Sequence, residues 1–292
     1  MHIDVQIVNA FIDGATGGNP AGVVVDANTL TAPQKLKVAQ QVGLSETAFV
    51  CASDTATIRL EFFTPTRQIA HCGHATIAAF SLLRQLGVVG EGHLSKETID
   101  GNRDILVEGE MAFMEQRAPR YTPITVTSEL GSRVIASLGI TQTQLLSGVA
   151  PFVVNTGNAF LLVPLSDERM VAELRPHLNL VESLSDELDL IGYYVFSTTT
   201  KVQGRHAGAR MFAPRFGIPE EAGTGMAAGP LACLLHDYLG IEDREILIEQ
   251  GWLMLPPSPS VIKVVLEIAG GEISRLMAGG YARAISSLRL EV

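Results

Sequence analysis

One stretch of this chain occurs twice, and the repetition limits what the chain can fold into. Residues 61–87, EFFTPTRQIAHCGHATIAAFSLLRQLG, are echoed by residues 210–240, RMFAPRFGIPEEAGTGMAAGPLACLLHDYLG. In each copy an aromatic and a proline (Phe63 and Pro65; Phe212 and Pro214) end an extended apolar run, and an isoleucine follows (Ile69; Ile218). A small-residue turn then opens a helix that closes at Leu-Gly. Self-similarity of this length predicts two equivalent units. The turns are residues 72–74 and 222–225, and the helices after them, residues 75–86 and 226–239, are apolar on nearly every face of their first two turns. A helix apolar all round is a buried helix. Burial leaves its N-terminus, with unpaired N–H groups and the positive end of the dipole, facing whatever lies between the units, and a pair of such ends suits a carboxylate.

The 292 residues are 47% hydrophobic and 18% charged, which excludes disorder and allows two cores of ordinary size. Residues 119–123 have the proline content of a linker, so the expected domains are residues 1–120 and 121–292, with the last strand free to return to the first. A formal net charge of −10 and the lack of any basic run argue against nucleic acid as a partner. No segment approaches the roughly 18 apolar residues of a membrane span, and no secretory signal opens the chain, so no membrane partner and a cytoplasmic location are expected. Cys51, Cys72 and Cys233 are scattered without a CxxC, which suggests neither a disulfide framework nor a zinc knuckle.

Along the chain, alternating apolar residues predict strands over 5–12, 57–63, 104–107, 111–115, 152–155, 159–163, 193–198, 245–249, 261–268 and 282–288. The glycines of residues 14–18 belong to a turn, because neither GxxxxGK[ST] nor a GxGxxG entering a helix is present. Thr31 with Gln34 has capping-box spacing for a helix ending at Gly43; Thr141 with Gln144 has it again, and Ser166 is placed to cap residues 167–174. Many strands around one apolar helix per unit is an α+β pattern, in which a curved sheet wraps a central helix.

Few residues stand out as carriers of chemistry. Glu46, at the mouth of a strand-like run, is either an ordinary strand-end charge or a carboxylate carried into an apolar pocket as general acid and base. His74 opens the first repeat helix and is a candidate proton donor, substrate contact or cap. Cys72 beside it is either buried filler or a thiol activated by the helix start. His71 and His74 lack a third ligand of suitable spacing, so no metal is expected. Glu220 and Glu221 precede the second turn, and one of them should face the substrate.

The segments GNPAGVVVDA, LSETAFV, FFTPTRQIAHCGHAT, RMFAPRFGIPEEAGTGMAAGPLA and IEQG, in this order along nearly the whole chain, resemble the PhzF-like phenazine-biosynthesis isomerases, relatives of diaminopimelate epimerase. The resemblance implies two pseudo-symmetric domains of the diaminopimelate-epimerase type, a site between them, a homodimer and no cofactor. It places the family's catalytic glutamate on Glu46 and its Gly-His pair on Gly73 and His74. The substrate-binding aspartate falls on Glu221, and the helix-start serine on Met226. Taken with the duplication, the expected substrate-binding positions are Ser45, Cys72, Gly73, Gly223, Thr224, Gly225 and Met226, with Glu46, His74 and Glu221 as the catalytic set. A racemase of this fold with two thiols needs one from each half; Cys72 matches the first position, but Ala222 occupies the second.

Three functions are open at this stage. The first is cofactor-independent movement of a proton between carbons of a small, carboxylate-bearing, possibly cyclic substrate. The second is an amino-acid racemase or epimerase using Cys72 and Glu221 as unlike bases. The third is a noncatalytic small-acid binding protein that kept the cleft alone.

Overall fold

The computed structural model describes residues 1–292. Its strands are β1 (His2–Ala10), β2 (Asn19–Val24), β3 (Thr47–Cys51), β4 (Ile58–Phe63), β5 (Gln68–Ile69), β6 (Gly92–Thr98), β7 (Gly101–Glu108), β8 (Met111–Arg117), β9 (Arg120–Pro123), β10 (Phe152–Asn155), β11 (Ala159–Pro164), β12 (Gly192–Ser197), β13 (Ala207–Ala213), β14 (Ile218–Glu221), β15 (Glu245–Gln250), β16 (Ser260–Ala269) and β17 (Glu272–Glu291). The α-helices are α1 (Ala32–Val42), α2 (Gly73–Gln85), α3 (Glu129–Leu138), α4 (Glu168–Glu173), α5 (Leu178–Glu187) and α6 (Gly225–Leu239). None is long and apolar enough to cross a membrane. The chain divides into two compact units, Met1–Glu115 with Gly279–Val292, and Gln116–Ala278.

In the first unit, pairing runs β1–β2–β3–β4–β6–β7–β8–β17 and returns from β17 to β1, so the sheet closes on itself. The sheet is mixed: β2–β3 and β4–β6 are parallel among antiparallel neighbours. Closure removes the exposed strand edges that an open sheet leaves available for aggregation. Where β17 meets β8 the backbones approach so closely that a Cβ on Gly279 would lie 2.0 Å from the Ala112 carbonyl oxygen. Helix α2 packs on β1, β2, β3 and β7, and every residue from Gly73 through Leu83 is buried. That follows from its sequence: GHATIAAFSLL offers no polar face, and small residues let the strands come close. Burial of Ile77, Phe80, Leu82 and Leu83 contributes about 1.5 to 3 kcal/mol each. Outside the ring, α1 is set by its own sequence. Gln34 Oε1 accepts the Thr31 N–H at 2.9 Å, and Gly43, at φ 70°, ends the helix in the left-handed conformation.

In the second unit pairing runs β9–β10–β11–β12–β13–β15–β16, with β14 folding back on β13. Helix α6, which belongs to the second copy of the sequence repeat, packs on β10, β11, β15 and β16 and is buried from Ala227 through Leu235. The expectation of one helix per unit is too simple here. Helices α3, α4 and α5 supply Val134, Leu138, Val171, Val181 and Leu184 to a second core with Leu161, Val163, Tyr193 and Val195. The strands β11 and β12 are apolar on both faces, so each face needs a cover.

Local readings of the sequence need four corrections. Residues 120–123 are not a linker but strand β9, held antiparallel to β10. The Thr141–Gln144 box opens a single 3-10 turn, Gln142–Gln144, because Leu145 is already extended at ψ 150°. The cap of α4 is Asp167, whose carboxylate accepts the Met170 N–H at 2.9 Å, and not Ser166. The last strand spans Glu272–Glu291, far beyond residues 282–288.

Candidate active site

Glu46 immediately precedes β3. Its carbonyl accepts the Gly22 N–H at 3.1 Å, which carries the β2–β3 pairing one residue further. The close pairing needs a glycine there: a Cβ on Gly22 would meet Thr47 Oγ1 at 2.9 Å. Glu46 is 6% exposed, so the strand-end charge of the bland reading is in fact a buried carboxylate. His74, 4% exposed, is the second residue of α2 and points the imidazole at it, with Nε2 3.4 Å from Glu46 Oε2. Cys72, extended at the N-cap of α2, places Sγ 3.6 Å from His74 Nδ1. The three side chains form one row: thiol, imidazole, carboxylate.

Burial pushes the Cys72 thiol up from its ordinary value; the His74 ring opposes that, while the Glu46 carboxyl adds to it. A protonated Cys72 is a hydrogen-bonding partner for Nδ1 and not a thiolate base. Ligand atoms of Glu46, Cys72 and His74 lie within 4.8 Å of one another, the donor set for a divalent ion. Cys72 faces one ring nitrogen at 3.6 Å and Glu46 the other at 3.4 Å. Such a row can also orient and move a proton. Neither cap position of the two repeat helices places a side chain on its first turn. Ser45, next to Glu46, is exposed, and Gly73 is buried.

His71 is turned away from His74. Its Nδ1 lies 3.0 Å from Lys96 Nζ, and its ring stacks edge-on with Phe62. Lys96 is fully buried on β6, a strand that the alternation of apolar residues had not revealed. Its sequence, GHLSKET, is too polar for that pattern.

In the second unit the two acids of the repeat part company. Glu220 is taken by Arg210 in a two-pronged pair, both contacts at 2.7 Å, and Arg210 also donates to the carbonyls of Val171, Ala172 and Leu174. Glu221 instead accepts from the Thr224 hydroxyl through Oε2. Gln250 fastens this turn: its Nε2 donates to the Glu221 carbonyl at 2.6 Å, and its Oε1 accepts from the Thr224 N–H at 3.0 Å and from the buried Tyr194 hydroxyl at 2.9 Å. Gln116 donates to the Gly225 carbonyl at 2.8 Å and accepts from Thr156 at 2.7 Å. Gly223 and Gly225 are buried, and Met226 is half-buried with Asn158 Nδ2 3.5 Å from its sulfur. Nothing in the sequence pattern marks Tyr194, Gln116 or Asn158 as neighbours of this turn. Only Gln250, within the IEQG motif, left a signal there.

A closed mixed sheet around a buried helix defines an epimerase-like fold, and here an acid–imidazole pair lies at that helix start. The chain belongs to the PhzC-PhzF family of phenazine biosynthesis-like proteins, whose family model matches residues 8–285. It is similar to the uncharacterized isomerase YddE of Escherichia coli O157:H7, at 31% identity over 86% of this chain and 85% of that protein. It is similar also to the trans-2,3-dihydro-3-hydroxyanthranilate isomerase of Pseudomonas chlororaphis, at 30% identity over 84% of each. The fold matches the crystal structure of the Bacillus anthracis phenazine biosynthesis protein of the PhzF family with a TM-score of 0.89 and 25% identity, over the whole of both chains. The protein is accordingly an enzyme of an isomerase family.

Proposed function

We propose that the protein moves a proton between carbons of a small carboxylate-bearing substrate without a cofactor, with Glu46 as the acid and base. The observation that carries this reading is the buried Glu46–His74 pair at 3.4 Å in a chain of the PhzC-PhzF family. A carboxylate held in place can take a proton from one carbon and, after its proton has exchanged with solvent, deliver one to another carbon; such general acid–base catalysis contributes about 100- to 10,000-fold. His74, fixed by Cys72 on its far nitrogen, holds the carboxylate and serves as the hydrogen-bonding partner of the reacting group. The uncapped first turn of α2 offers N–H donors to a substrate carboxylate. Glu221 and residues 223–226 form the corresponding substrate-binding turn of the second unit. Pseudo-symmetry of the units, a homodimer and a cytoplasmic location belong to the same proposal.

The relative from Pseudomonas chlororaphis is named for a cyclic dihydro-hydroxyanthranilate, which makes that compound the first substrate to try. A racemase reading through Cys72 is disfavoured by burial, which pushes the thiol up. Incubation in deuterium oxide with trans-2,3-dihydro-3-hydroxyanthranilate and a panel of small carboxylic acids tests the proposal. Deuterium entering a carbon position of one of them, with a shifted double bond in the product, is the expected result. Tight binding of an acid with no exchange and no conversion over many hours would contradict it and leave a binding protein.

A further inference from the structure

Lys96 takes no part in the proton transfer proposed above, yet one nitrogen of it grips both ends of the turn that carries His74. The side chain is fully buried, and Nζ donates to Thr76 Oγ1 at 2.7 Å. Thr76 Oγ1 passes the connection on, donating to the Cys72 carbonyl at 2.6 Å. On the other side Nζ lies 3.0 Å from His71 Nδ1. Burial and the adjoining lysine hold the His71 ring well below its ordinary value, so it is neutral and its Nδ1 accepts. His71 precedes residues 72–74 and Thr76 follows them.

An aliphatic side chain would fill this position at lower cost, because a buried amine must be stripped of water. The groups that face it are few. His71 and Cys72 approach from the turn, Thr76 from α2, Phe62 from β4 with its ring centre 5.2 Å away, and Asp100 and Arg103 from the end of the β6–β7 hairpin. Of these only Thr76 and His71 receive hydrogen bonds from Nζ, and both lead to the turn.

We infer that Lys96 is a positioning residue, a brace that holds residues 71–76 so that His74 meets Glu46 in the geometry that proton transfer needs. The inference rests on the roles proposed for Glu46 and His74. Burial draws the amine down to about 7, so it is part-charged at neutral pH. A neutral amine still has two N–H donors, enough for Thr76 and His71, so the brace holds on either side of that titration.

The test uses trans-2,3-dihydro-3-hydroxyanthranilate as substrate, with amide exchange of residues 71–76 read in parallel. Lys96→Met is expected to lower kcat roughly 100-fold, the cost of a displacement near 1 Å, with KM within about threefold. The loss should be equal at about pH 6 and about pH 8.5, where a role for the charge would confine it to the acid side. Thr76→Val should lower kcat as well, and the double variant should lose no more than the worse single one. Amide protection of residues 71–76 should fall about tenfold in Lys96→Met while that of α6 is unchanged. A kcat that survives the substitution, or a loss seen only below pH 7, overturns the brace. If the unaltered protein does not turn over this compound, the substrate reading fails separately, and the exchange arm decides alone: undiminished protection of residues 71–76 overturns the inference. Should Lys96→Met not fold, Thr76→Val carries both readouts.

Discussion

His74 Nε2 and Glu46 Oε2 lie 3.4 Å apart with almost no solvent on either side chain. The contact joins the start of β3 to the start of α2, two elements that the first unit packs together. Replacing His74 by Gln keeps a polar side chain of similar reach and removes the ring. Turnover should fall at least about 100-fold, with melting temperature little changed, as checked by steady-state kinetics beside a thermal melt.

The neighbouring thiol is expected to matter far less. Burial pushes Cys72 up, so at neutral pH it carries its proton and only orients His74. Cys72→Ser preserves a donor at that place, and kcat should stay within about tenfold of the unaltered enzyme. The native protein should also react slowly with iodoacetamide, followed by mass spectrometry. A drop comparable to that of His74→Gln would instead make the thiol a reacting group.

The two adjacent acids of the second unit should separate cleanly. Glu220→Gln breaks the two-pronged contact with the buried Arg210, and a buried pair that loses one partner costs about 3 kcal/mol or more. Glu221→Gln weakens the hydrogen bond from the Thr224 hydroxyl, and the loss of one such bond costs about 1 kcal/mol. Its effect is expected on KM. Urea unfolding and kinetics on the same pair of variants distinguish the two roles.

Lys96 also links stability to pH. Its proton is held less tightly in the folded chain, at about 7, than the 10.4 or so of an unfolded lysine. Between those values the unfolded chain binds more protons, so the contribution of this group favours the fold increasingly as pH rises from about 7 to about 10, by at most about 1.4 kcal/mol per unit. Below about 7 that slope vanishes, because both states are then protonated. Urea unfolding at several pH values should show a steeper rise in stability for the unaltered protein than for Lys96→Met.

Much of the fold was legible because it rests on local chemistry. The apolar repeat helices announced α2 and α6 as buried, and the Thr31–Gln34 box with Gly43 set the bounds of α1. What the sequence hid depends on partners far along the chain. Residues 120–123 read as a linker because Pro119 and Pro123 suit one, but pairing with β10 makes them a strand. Strand β6 escaped notice because its polar residues are satisfied by distant groups, Lys96 by Thr76 and Glu97 by Ser53. Among the candidate site residues, Glu46 and His74 stand out in the sequence by their places at element starts, and burial gives those places meaning. Glu220 and Glu221 are adjacent acids of one kind; Arg210, ten positions away on the partner strand, holds the first, and Thr224 holds the second.

In the reaction proposed above, the Glu46 carboxylate carries the proton. The direct measurement is solvent deuterium incorporation at carbon, by mass spectrometry, into trans-2,3-dihydro-3-hydroxyanthranilate or whichever carboxylic acid the unaltered enzyme is found to exchange, compared with Glu46→Gln. The amide keeps the shape of the carboxylate and lacks its basicity, so the account predicts that exchange and conversion both disappear while amide-exchange protection of α2 persists. Exchange continuing in Glu46→Gln at a rate near that of the unaltered enzyme would contradict it.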